Sequence, residues 1–338
     1  MPRHFLVRLT AFAACVACVA CVACARAPMP ATSTAALRVA PLFELQSNFW
    51  VNLHQFLYMT ARARQGLDAA RPSTRDALAD TNGYRALTPG QRAGFESAVA
   101  YYAASLSKRS LLFDSTLVAQ NWRLSHATNA LSLRGSGVDG ALAAELERAA
   151  PAYRVLWWPR HDAANRRWIA NLLPLLDSRA DSAARWQAAR YSTRWPASIR
   201  TDVTAYADWA GGYTITEPGH ITISSTNAGN AGLYAFETLF HEASHTLDAA
   251  LADSLQAAFR AAGKRWPRDP THPIIFYTAG EITRRVVSPD HVPYAEQYGL
   301  WKNPDYARMR PLLEKFWQPY LDGTLSLHDA LYGIAAGW

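Results

Sequence analysis

The stretch Phe240-His241-Glu242-Ala243-Ser244-His245-Thr246-Leu247-Asp248 constrains this chain more than any other. Around it Leu233, Phe236, Leu239, Phe240, Ala243, Leu247 and Ala250 recur at three- and four-residue steps, the period of a helix with one apolar face. Residues four apart on a helix sit one above the other, so His241 and His245 aim at a common point. Two neutral imidazoles at that spacing make half of a tetrahedral zinc site. Glu242 lies about 100° around the helix, where a carboxylate can reach a metal-bound water rather than the metal, as a general base must. The plainer alternative is a helix with two surface histidines and a solvated glutamate.

The N-terminus reads differently from the rest. Arg3 and Arg8 precede an apolar run from Leu9 to Ala23, too short for a membrane span and patterned like an export signal. All four cysteines (15, 18, 21 and 24) fall in it. A mature chain would therefore hold no disulfide and at most one thiol. The segment resembles a bacterial lipoprotein signal: small residues precede a cysteine at Val22-Ala23-Cys24, and the repeat makes Cys21 an equally legible lipidation site. Ordinary cleavage near Ala25 is the other option. Residues 1–24 are thus expected as a signal, and residues 25–40, rich in Ala, Pro, Ser and Thr, as a linker. The expected location is the periplasm or outer membrane, or the medium, with membrane contact only through a lipid. The formal charge of +7 is mostly scattered arginine, with no basic run interleaved with aromatics, so nucleic-acid binding is not indicated.

The expected fold class is α+β, mostly α-helical, in two regions. Residues 41–196 read as helices: 42–66 with Phe49, Trp50, Leu53, Phe56 and Leu57 on one stripe, then 89–106, 111–124, 138–150 and 163–190, with Pro174 inside the last. Residues 69–88 read as loop. At Trp195-Pro196 the period changes. Residues 199–209 alternate as a strand does, and Tyr213-Thr-Ile-Thr and Ile221-Thr-Ile-Ser form two further β-rich runs about a Pro218-Gly219 turn. Residues 197–338 therefore hold a small antiparallel sheet before the histidine helix, which Asn227 to Asn230 would cap. Helices over 273–287, 308–321 and 325–335 complete the chain.

A catalytic zinc site usually has three protein ligands and an open position. Glu281, on the helix over 273–287, is the expected third ligand; otherwise it pairs with Arg284 or Arg285 on the helix surface. Rivals are Asp248, His272, His291 and His328-Asp329. Asp248, three residues after His245, is better placed to orient a ligand imidazole. With no cysteine available as a ligand beyond residue 24, peptide deformylases, whose zinc uses one, are disfavoured.

With these residues the chain resembles the gluzincin metallopeptidases, in which His-Glu-x-x-His is completed by a downstream glutamate. The form ending in Asp248 is similar to the branch that includes the MtfA-like peptidases. Where that branch usually carries an acidic, Phe-rich stretch, this chain has Thr278-Ala-Gly-Glu281-Ile-Thr. The resemblance covers residues 221–285 and implies a zincin-like region with one zinc ion on His241, His245 and Glu281. It further implies Glu242 as base, Tyr277 or His272 stabilising the oxyanion, and a peptide or protein substrate lying along the preceding strand. Asp329-Ala-Leu-Tyr332-Gly333 is similar to the aspzincin aspartate motif. The competing expectation is a non-catalytic, zinc-binding envelope lipoprotein whose helical half binds a partner.

Overall fold

Five strands and the helices packed on them are set out by a computed structural model, which describes the backbone of residues 39–40 and the whole of residues 42–338. The expected export signal, Cys21 and Cys24 included, lies outside the described residues, as does most of the linker.

The strands are β1 (Val39–Ala40), β2 (Phe43–Gln46), β3 (Ile199–Thr204), β4 (Gly212–Ile215) and β5 (His220–Ser224), in the order β1-β2-β3-β5-β4. The sheet is mixed, which corrects the antiparallel expectation. β4–β5 is the expected antiparallel hairpin and β1–β2 is antiparallel, but β2–β3 and β3–β5 are parallel. The hairpin's Glu217–Pro218 peptide is cis, and Gly219 takes the positive φ its turn needs.

β2 was expected as the start of a helix. Phe43-Glu-Leu-Gln alternates buried and half-buried residues, as a strand with one covered face does. The helix begins only at Phe49, where the Asn48 side chain accepts from the amides of Trp50 and Val51 and stops it from extending back. Since β2 pairs with β3 some 150 residues later, the sheet crosses the boundary expected at residue 196.

Among the described residues, six α-helices precede β3: α1 (Phe49–Arg64), α2 (Pro72–Ala79), α3 (Pro89–Ser105), α4 (Ser115–Ser125), α5 (Gly140–Leu156) and α6 (Trp158–Arg190). α1 is buried on every face from Phe49 to Ala61, so it is the centre of this layer rather than part of its surface. α3 opens with a complete capping box from Thr88 and Gln91. α2 and a 3₁₀ helix (Asp80–Ala86) occupy the stretch read as loop, begun by Pro72 at a first-turn position where its missing N–H costs nothing.

After β5 come α7 (Leu233–Ser244), α8 (Ala249–Ala261), α9 (Thr271–Val286), α10 (Tyr294–Gln297), α11 (Pro304–Leu312), α12 (Gln318–Leu321) and α13 (Leu327–Gly337). A π-helical turn (Leu313–Trp317) joins α11 to α12. The fold is α+β and mostly helical. No helix among the described residues is long and apolar enough to cross a membrane.

Candidate metal centre

α7 lays Phe236, Leu239, Phe240 and Ala243 into the core beneath the sheet, where Phe240 meets the Phe43 ring edge-on at 5.5 Å. The opposite side of its last turn therefore carries His241 and His245. The helix does not continue to Ala250 as its apolar period implies. Gln187 of α6 donates to the Phe240 carbonyl and to Ser244 Oγ, and Ser244 Oγ donates back to the same carbonyl. The next amides tighten to three-residue bonds, His245 to Glu242 and Thr246 to Ala243, and the chain turns into α8 at Asp248. His245 keeps helical dihedrals, so the two imidazoles still face one another, with ring centroids 5.2 Å apart. The N-cap also differs from expectation. Asn227 caps a short 3₁₀ turn (Ala228–Asn230), and Gly232, at φ 59°, precedes α7.

The third side chain at this point is His272, the second residue of α9. Its ring lies 5.1 Å from that of His241 and 5.2 Å from that of His245, and one nitrogen from each of the three imidazoles lies within 4.8 Å of the others. His272 Nε2 and His241 Nε2 are 3.2 Å apart. Two ligands on one tetrahedral zinc are separated by about 3.3 Å, given Zn–N bonds near 2.0–2.1 Å. The His241–His272 pair matches that spacing, and the three side chains lie close enough together to hold a metal ion. One atom lacks a support of the sort ligand histidines have: His241 Nδ1 is buried without a hydrogen-bond partner. Phe276, one turn after His272, stacks on His241 at 4.0 Å and on His272 at 4.9 Å, closing one side.

Burial sets the protonation of the group. It drives the His241 pKa well below the ordinary value and the His245 pKa down to about 4, in each case assisted by the neighbouring imidazoles, so both are neutral at pH 7, the form that binds metal. Glu242 is buried beside them. Burial pushes its pKa up to about 7, against the pull of a hydrogen bond from Thr214 Oγ1 to Oε2 at 2.7 Å. The same hydroxyl meets the Glu242 carbonyl oxygen at 2.9 Å. Thr214 belongs to β4, the edge strand, and on the same strand a Cβ at Gly212 would stand 3.0 Å from Glu242 Oε1. Glu242 is therefore held between α7 and the sheet edge.

The other expected residues lie as follows. Glu281, the expected third ligand, is 8% exposed and turned toward cations. Arg284 reaches one of its oxygens at 3.1 Å, and Arg285 and Gln318 reach the other at 3.4 and 3.3 Å. It is not among the side chains that converge with His241 and His245; His272 is. The helical period explains this, since Glu281 follows His272 by two and a half turns and so points away from it. Tyr277, the expected oxyanion residue, donates to Gln318 Oε1 and belongs to the Glu281 side of α9. Asp248 stands at the head of α8, its pKa pushed up to about 6 by burial; the carboxylate that an imidazole of the group reaches is instead Asp269, against His272 Nδ1 at 3.2 Å. His291 is buried against Glu237 at 2.6 Å, and His328 and Asp329 are exposed on α13.

Thr214 and Asp269 escaped the sequence reading. Only Asp269, three residues before His272, has a positional signal; Thr214 arrives from a separate element. No protein-family model, no curated protein and no solved structure matches this chain.

Proposed function

We propose that this protein is a zinc-dependent hydrolase cutting peptide bonds, with the ion held by His241, His245 and His272 and with Glu242 as general base. The observation that carries the reading is the pairing of three converging imidazoles with one buried carboxyl, Glu242, beside them. A structural zinc site has no need of an adjacent base, and such sites are usually closed by a fourth protein ligand. A zinc ion bound here would supply Lewis acidity and an acidified water. Glu242, with a pKa near neutrality, takes a proton at Oε1 or Oε2 and returns it to a leaving amine. Thr214 keeps the carboxyl from rotating. β4 ends the sheet beside Glu242, and an extended peptide added along such an edge brings its backbone past the base. The N-terminal signal pattern places this activity outside the cytoplasm as part of the same proposal.

Elemental mass spectrometry of the purified protein, combined with hydrolysis of a mixed peptide library, tests the reading. The expected result is about one zinc per chain in the wild type and in Glu242→Gln, with turnover lower in the variant by at least two orders of magnitude, the scale of a lost general base. Turnover unchanged in Glu242→Gln would overturn Glu242 as the base, zinc bound without turnover in the wild type would favour a binding protein, and absence of metal after zinc is added back would sink the enzyme.

A further inference from the structure

We propose that Asp269 and Tyr306 together act as the positioning pair for His272, fixing its tautomer and ring angle so that Nε2 faces the site. The inference rests on the three-histidine reading and extends it to residues outside the histidine helix. His241 and His245 are oriented by their shared helix and by burial. His272 has neither advantage: it comes from another element, in the first turn of α9, and its side chain is 31% exposed, so its ring angle needs another hold.

Two groups meet its Nδ1. Asp269 Oδ2 lies at 3.2 Å, from the turn just before α9, and Tyr306 Oη at 3.1 Å, from α11. An ionised carboxylate only accepts, so its contact requires the proton on Nδ1. A neutral imidazole carries one proton, so Nε2, which lies 3.2 Å from His241 Nε2, is left with its lone pair. Tyr306 can share the same N–H as a second acceptor, and its ring stands at 71° to that of His272, limiting the swing of the imidazole. The Phe276 ring stacked on His272 constrains the opposite sense of rotation. Asp269 is half exposed, so its contact contributes little to fold stability by itself. Its effect falls on the direction of one lone pair. Carboxylates so placed raise the basicity and fix the orientation of ligand imidazoles, and their loss typically weakens metal binding about 10–100-fold.

The test is zinc affinity of the full purified chain, by competition with a chromophoric chelator, with the visible spectrum of the Co²⁺-substituted protein as a second readout. Asp269→Ala is expected to bind zinc at least 10-fold more weakly and to alter the Co²⁺ spectrum, while the melting temperature of the metal-free protein stays at the wild-type value. Asp269→Asn, whose amide oxygen still accepts, should recover part of the loss. The double variant Asp269→Ala/Tyr306→Phe should be weaker than either single one. His272→Ala separates the two levels of the argument. If its affinity equals the wild type's, His272 is no ligand and the three-histidine reading fails, taking this proposal with it. If His272→Ala weakens binding but Asp269→Ala stays within twofold of the wild type, the site stands and the positioning pair is overturned.

Discussion

Arg284 and Arg285, one on each oxygen of Glu281, decide at the scale of single residues what that carboxylate does. An acid already neutralised by two guanidiniums, one of which also pairs with Asp322, has little lone-pair density to offer a cation. Glu281→Ala is accordingly expected to leave zinc affinity within about threefold of the wild type, whereas His272→Ala, on the proposed three-histidine site, is expected to weaken it strongly. Equilibrium competition on the two variants checks this, and a loss in Glu281→Ala as large as in His272→Ala would restore the sequence expectation. The choice between them was not legible from residue types, because both lie downstream of His245, Glu281 on the predicted helix and His272 just before it. Which face of that helix meets α7 is a matter of packing. His241, His245 and Glu242, by contrast, were legible at once, since four-residue spacing on a helix determines their mutual placement whatever the rest of the chain does.

At the scale of elements, α7 and α9 hold the site, and their approach depends on a glycine. A Cβ at Gly280 would lie 2.6 Å from the Pro293 ring carbon Cβ and 3.3 Å from Glu237 Oε1. Proline cannot swing aside as a long side chain can. The same segment is tied to α7 by Glu237, which takes the Tyr294 amide at 2.9 Å and pairs with buried His291. Gly280→Ala should therefore destabilise the protein by about 1–2 kcal/mol, the overpacking cost exceeding the roughly 1 kcal/mol gained from helix propensity. Denaturant unfolding of the variant measures it; a rise in stability would show that the segment yields easily. The sequence marked most of these helices correctly and misjudged where α7 stops. Its apolar period runs on to Ala250, and only the side chains of Gln187 and Ser244, competing for the Phe240 carbonyl, end it at Ser244.

At the scale of the molecule, one sheet joins the two regions expected from the sequence. β2 pairs in parallel with β3, and Phe43 lies fully buried against Trp195 and Phe240, so the core under the metal helix contains residues from both expected regions. Residues 197–338 alone would leave one side of β3 without its partner strand, an open sheet edge. Phe43→Ala is expected to cost about 3–5 kcal/mol and to lower a single unfolding transition, with circular dichroism and tryptophan fluorescence giving coincident midpoints. Two separated transitions, with only one shifted, would show two independently folding parts.

From the sequence alone followed the mostly helical α+β class, the β4–β5 hairpin, and the placement of two imidazoles and a carboxyl on one turn of helix, because these depend on local period and turn chemistry. The choice of His272 over Glu281, the hold on Glu242 by Thr214, and the parallel pairing of β2 came only with the tertiary structure. Each is a meeting of residues tens to hundreds of positions apart, and periodicity carries no information about which face of one element another will cover.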